Sequence, residues 1–170
     1  MNCWLGDEKV PLPDLNTQDS RVQDGYADWI KNLVQEYSID GLRIDGMCHV
    51  FLPVSLQFEL FSAAKHVNSE FWGPFCANAG VFCMGEVFGD DITLASQYQG
   101  PGTLDSILNF PVYNALLKTF QIPSNYSTTE LARAHDAVKS QFRDVTVLGN
   151  FLENQDLPRW RSFSTDPQSL

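Results

Sequence analysis

YSIDGLRID at residues 37–45 and VFCMGEV at residues 81–87 share one pattern: a short apolar run that ends on an acid, Asp45 in the first and Glu86 in the second. A third run, VTVLGNFLENQD at residues 145–156, closes on Glu153 and Asp156. Apolar runs of this length fit strands of a parallel sheet, which are buried on both faces. On that basis 41–45, 81–87, 106–110 and 145–151 are read as strands. Helical patterns lie between and before them. Residues 20–37 carry Val22, Tyr26, Trp29, Ile30, Leu33 and Val34 at helical spacing. Residues 112–120 and 128–142 also read as helices, the second with Thr128 as its N-cap and Glu130 and Arg133 in its first turns. Residues 1–17 are loop-like, punctuated by Pro11, Pro13 and Asn16. Alternating strands and helices predict an α/β fold with a parallel sheet and crossover helices. Functional groups in such folds collect at the carboxyl ends of the strands, where Asp45, Glu86 and the Glu153/Asp156 pair fall.

The 170 residues suffice for one core-bearing domain, and 44% apolar with 12% aromatic content argues against disorder. A net charge of −10 disfavours nucleic acid or an anionic membrane as partner and leaves a neutral substrate open. No apolar stretch is long enough to span a bilayer. The first ten residues, MNCWLGDEKV, lack the basic and apolar regions of a signal peptide, so no leader is expected in this chain. Cys3, Cys48, Cys76 and Cys83 show no C-x-x-C spacing, so thiolate metal binding is not expected and their pairing stays open. Cys83, inside an apolar strand, is expected to be a buried free thiol. Asn125-Tyr126-Ser127 is a glycosylation sequon, a weak sign of secretion.

A single acid at a strand end is most often a helix cap or a solvated charge, and Asp40 is read that way. Three acids delivered to one face of a parallel sheet suggest paired-carboxylate chemistry. Glycosidic cleavage needs one carboxyl group to protonate the leaving oxygen and another to attack the anomeric carbon or activate water, and a spacing of ~5–5.5 Å gives retention. A third acid can hold sugar hydroxyls more tightly in the transition state. Arg43 lies two residues before Asp45, on the same side of the strand, where its fixed charge favours the ionised carboxylate.

The stretches NCWLGD (2–7), LPDLNT (12–17), YSIDGLRID (37–45), AAKHV (63–67), GEV (85–87), ILNFPVY (107–113) and LGNFLENQDLPR (148–159) resemble the fungal α-amylases of glycoside hydrolase family 13. GLRID, GEV and ENxD in this order form a specific combination, although GEV alone carries nothing. The resemblance implies a partial (β/α)8 TIM barrel, about strands four to seven with their helices, in which residues 1–17 end a calcium-binding excursion. It implies Asp45 as nucleophile, Glu86 as general acid/base and Asp156 as transition-state stabiliser. It further implies substrate contacts from Arg43, Lys65, His66 and Gln155, and a calcium ion held by Asp14 and the main-chain carbonyl of His66, hard oxygen donors of the kind calcium prefers. The implied function is retaining hydrolysis of internal α-1,4-glucosidic bonds in an α-glucan such as starch or glycogen. The full-length relative is expected to be extracellular and monomeric, and this chain to be a fragment of its barrel, incomplete at both sheet edges.

Two features depart from the family. Gln155 stands where the family usually has His; it still donates a hydrogen bond but carries no charge. Seventeen residues, Gly46 to Ser62, separate Asp45 from AAKHV, and their removal restores the family spacing. Their coding length, fifty-one nucleotides, is a whole number of codons. Gly46-Met47-Cys48 can be encoded with a GTATGT donor and Ser62-Ala63 with a CAG acceptor, so the segment reads as a translated, unspliced intron. The other reading is an apolar loop, whose Phe51, Leu52, Phe58 and Phe61 need a place to bury. For the function, the alternatives are an α-glucan transglycosylase of the same family, a catalytically inert product of a damaged gene, and an unrelated α/β enzyme with coincidental acids.

Overall fold

In the computed structural model, which describes residues 15–45, 67, 69–121 and 127–163, helix α1 spans Ser20–Tyr37. The Asp19 carboxylate starts it by accepting the Arg21 N–H at 2.9 Å, satisfying a donor that a helix start leaves unbonded. Ser38 ends it at φ +50, its N–H bonded to the Val34 carbonyl. Strand β1, Gly41–Ile44, follows at once. Next come α2 (Ser69–Ala79), β2 (Phe82–Gly85), the short α3 (Ile92–Ser96), β3 (Ser106–Ile107), α4 (Phe110–Phe120) and α5 (Thr128–Gln141).

The three strands form one parallel sheet in the order β1-β2-β3. Leu42 pairs with Cys83, Arg43 with Met84, and Met84 with Ser106. Because successive strand side chains point to opposite faces, this register sends Leu42, Ile44 and Cys83 to the helix-covered face and Arg43 and Met84 to the other. On the helix side α1 contributes buried Ile30 and Val34, and α2 contributes Phe71, Trp72, Phe75 and Ala79. The Phe71 and Trp72 rings meet edge to face at 5.1 Å. Trp29, read from its spacing as part of the buried stripe, stays half in solvent beside Tyr26. Close approach demands glycine at several positions, Gly73 and Gly149 among them. A Cβ on Gly73 would lie 2.6 Å from the Gly102 carbonyl oxygen, and one on Gly149 would lie 2.8 Å from Met84 Sδ.

The strand expected at 145–151 is not one. Val145–Val147 forms a turn of 3-10 helix, and only Gly149 makes a ladder contact, as an isolated parallel bridge to Leu108. Asp144 accounts for this. Its carboxylate accepts from the Thr146 N–H at 2.8 Å and the Thr146 hydroxyl at 2.6 Å, drawing the backbone into a local bond in place of a sheet ladder. The same two bonds, the hydroxyl's first, hold the Asp144 carboxyl below its ordinary range. The Val147 carbonyl is taken by the Ser106 hydroxyl at 2.6 Å. The expected strand at 106–110 is likewise shorter, because Asn109 caps α4: its side chain accepts the Val112 N–H at 3.3 Å, and Pro111 fits the first turn. Cys83 is buried and free, as its sequence setting suggests, and Cys76 is free as well. Residues 1–14 and the segment 46–62 lie outside the described residues.

The cap of α5 is also one residue earlier than the spacing suggests. Ser127, not Thr128, is the N-cap, and it forms a reciprocal capping box in which the Glu130 carboxylate accepts the Ser127 N–H at 2.8 Å. In urea unfolding of protein made without glycosylation, Ser127→Ala is therefore expected to lower stability by about 1 kcal/mol. Thr128→Ala should stay within about 0.5 kcal/mol of the parent; equal losses at both positions would contradict this assignment.

Candidate active site

Three segments converge at the carboxyl ends of the strands. Asp45 directly follows β1 and Glu86 directly follows β2, and the Glu86 N–H donates to the Ile44 carbonyl at 3.0 Å, carrying the ladder one residue past the strand. The third segment, 150–156, is steered in from β3. The Asn109 N–H donates to the Gly149 carbonyl at 2.9 Å, and the Asn109 side-chain amide donates to Asn150 Oδ1 at 2.9 Å.

Arg43 joins all three. Its Nη2 lies 3.1 Å from Glu86 Oε2 and 3.9 Å from Asp156 Oδ2, and its Nη1 lies 3.4 Å from Asp45 Oδ2. The fork of the guanidinium suits this, because its donors point in fixed, different directions. The three carboxylates occupy unlike surroundings. The Glu86 side chain is 0% exposed, Asp156 22% and Asp45 66%. One carboxyl group is thus held away from water beside a cation while another stands at the surface within reach of the same cation.

Asn154, one residue before Gln155, belongs to the ENxD motif but has no role assigned in the sequence reading. Its Oδ1 accepts the Asp156 N–H at 2.9 Å, an Asx turn that fixes the approach of Asp156 to Arg43. The two-residue spacing of Asn and Asp in ENQD is the signal that could have revealed it. Asn154 Nδ2 and Asp156 Oδ2 are buried without a hydrogen-bond partner among the described residues, and such groups are uncommon in folded proteins. Glu153 separates from its neighbour. It accepts the Trp160 N–H at 2.8 Å and pairs with Arg159 at 3.3 Å, so it braces the following turn and leaves Asp156 as the acid of this segment that meets Arg43. Gln155 is exposed in the same turn. Lys65, His66 and Asp14 lie outside the described residues, and among the described residues no cluster of three or more His, Cys, Asp or Glu could hold a metal ion. No helix among them is long and apolar enough to cross a membrane.

Removing Arg43 leaves buried Glu86 without this countercharge, a change that typically costs about 3–5 kcal/mol for a buried pair. Arg43 is partly exposed, so the lower end is expected for Arg43→Met in urea unfolding. The double variant Arg43→Met with Glu86→Gln should recover most of that loss, whereas strictly additive losses would show that the two groups are not coupled.

Residues 2–169 match the family described as "Alpha amylase, catalytic domain". The chain is 43% identical over 164 residues to Alpha-amylase 1 of Lipomyces kononenkoae, covering 96% of this chain and 23% of that protein. It is 39% identical over 165 residues to Alpha-amylase 2 of Schwanniomyces occidentalis, covering 97% and 29%. The solved structure of an alpha-amylase from Malbranchea cinnamomea superposes with a TM-score of 0.82 at 36% identity, covering 98% of this chain and 31% of that one. The chain thus spans between 23% and 31% of the length of these relatives.

Proposed function

The chain belongs to the alpha-amylase catalytic-domain family and its sheet is part of a TIM barrel, and from that premise we propose that it carries the catalytic acids of a retaining hydrolase of internal α-1,4-glucosidic bonds in starch or glycogen. The observation that carries the reading is Arg43 within 4 Å of Asp45, Glu86 and Asp156 at once.

In this reading Glu86 protonates the glycosidic oxygen, and Asp45 attacks the anomeric carbon to give a covalent glycosyl-enzyme. Glu86 then takes a proton from the water that releases the sugar. Two carboxyl groups in unlike surroundings can take unlike roles, and the contrast between buried Glu86 and exposed Asp45 supports this division. Arg43 favours the anionic form of Asp45 that attack requires. Asp156 binds sugar hydroxyls more tightly in the transition state than in the ground state, and the unfilled hydrogen-bonding capacity of Asp156 Oδ2 and Asn154 Nδ2 suits that task. Lys65, His66 and Gln155 contribute further sugar contacts, Gln155 through its amide alone. A structural calcium ion held by Asp14 and the His66 carbonyl completes the proposal; it takes no part in proton transfer or bond cleavage.

In this reading the three described strands and the 145–151 segment correspond to about the fourth to the seventh strand of the barrel. With β1 at the end of the described sheet, the 170 residues on their own are proposed to be inactive, and hydrolysis to require the rest of the barrel. In an enzyme with the complete barrel around this segment, Glu86→Gln is expected to lower the release of reducing ends from soluble starch by roughly 10²–10⁴-fold. A variant that keeps more than about a tenth of the parent rate would remove Glu86 from the acid role. Product analysis with maltooligosaccharides separates hydrolysis from glucan transfer.

The segment 46–62 is proposed to be a translated, retained intron between Asp45 and Ala63. Sequencing the transcript is expected to show mature message lacking these codons; their presence in most mature reads would make the segment a true part of the protein.

A further inference from the structure

Helix α2 sets Trp72, Phe75, Cys76 and Ala79 on one face, at spacings of three and four, and that face lies against the sheet. Strand β2 sends Cys83 into the same layer, since Cys83 is in register with Leu42, which packs into the helix-side core. Cys76 is half-buried and packs against the core cluster that contains fully buried Cys83, and both thiols are free. The chain between them turns tightly. The Gly80 N–H closes on the Cys76 carbonyl at 3.0 Å, and Gly80 takes φ +67. Cys83 is held firmly, its N–H donated to Asp105 Oδ2 at 2.8 Å.

Cys76 also lines a cavity of about 740 Å³ at the amino ends of the strands, together with Ala77, Phe82, Gly102 and Asp105. This is the end of the sheet opposite Asp45 and Glu86, so the reaction described above does not use it. One thiol therefore faces an open cavity while the second lies behind it in the core. Their mutual hydrogen bond, with Cys76 as donor, pushes the Cys76 thiol up, as burial does, and pulls Cys83 down.

We propose that Cys76 and Cys83 are a redox-sensitive thiol pair, which a low-molecular-weight disulfide oxidises to a bond that ties the last turn of α2 to β2. The pair first loses one proton, which leaves the thiolate on Cys83; Cys76, the accessible partner, then passes its own proton to Cys83 as it attacks one sulfur of the small disulfide, expelling the other as a thiolate. Cys83 then attacks the Cys76 sulfur of this mixed disulfide and expels the second small thiolate, and the two protein protons leave on the two small thiols. Two protein thiols are thereby oxidised by two electrons, and one small disulfide is reduced to two thiols.

The test uses the full chain with Cys3→Ser and Cys48→Ser, so that only this pair remains. The native protein is treated with oxidised glutathione, quenched with N-ethylmaleimide in denaturant, and mapped by mass spectrometry. Chymotryptic cleavage after Phe82 separates the two cysteines, so the expected result is two peptides joined until dithiothreitol is added, with no maleimide on either. The yield should exceed that of the same protein oxidised in urea, because the fold brings the thiols together. Maleimide on both cysteines, glutathione persisting on Cys76 beside a free Cys83, or equal yields in urea and native buffer would each overturn the proposal.

Discussion

One guanidinium facing three carboxylates is the constraint on which the site depends. Arg43 touches the acids that end β1 and β2 and the acid of the 150–156 segment, and these come from three separate stretches of the chain. Carboxylates gathered this closely repel one another, and a single cation among them offsets that repulsion. A lysine would not substitute evenly, since its compact charge lacks the fixed fork that reaches several oxygens in different directions. Parallel register does the rest. With Arg43 opposite Met84, Glu86 arrives one step beyond the paired strands, on the same face as Arg43.

The surrounding structure serves to hold that register. Buried residues of α1 and α2 cover one face of β1 and β2, and the missing side chain of Gly149 lets the 145–151 segment close on Met84 and Leu108. Asn109 and Asn154 are small polar clamps. The first fastens the segment to the end of β3, and the second turns its chain so that Asp156 points at Arg43. Neither clamp is itself an acid or base, yet both decide where an acid stands.

Much of this was legible in the chain. Apolar runs ending in acids gave the parallel order and three of the four contributors, and the helical spacing of Ile30 and Val34 marked the buried face of α1. The fourth strand was misread because VTVLG has strand-like composition, while the Asp144–Thr146 bonds that override it are local side-chain geometry. Glu153 and Asp156 looked equivalent in sequence. What separates them is Arg159 and the Trp160 amide, which capture Glu153 from beyond the motif. The reach of Arg43 past its own strand to Glu86 and Asp156 is a property of register and could not be read from GLRID.

We propose that these acids, ordered by Arg43, cleave a glycosidic bond through a covalent intermediate on Asp45. Trapping tests this most directly. A fluorinated α-glucosyl fluoride, whose glycosyl-enzyme turns over slowly, would be incubated with an enzyme carrying this segment within its complete barrel, and the labelled peptide mapped by mass spectrometry. The account predicts the sugar on Asp45. A label on Glu86 or Asp156, or turnover without any covalent adduct, would contradict it.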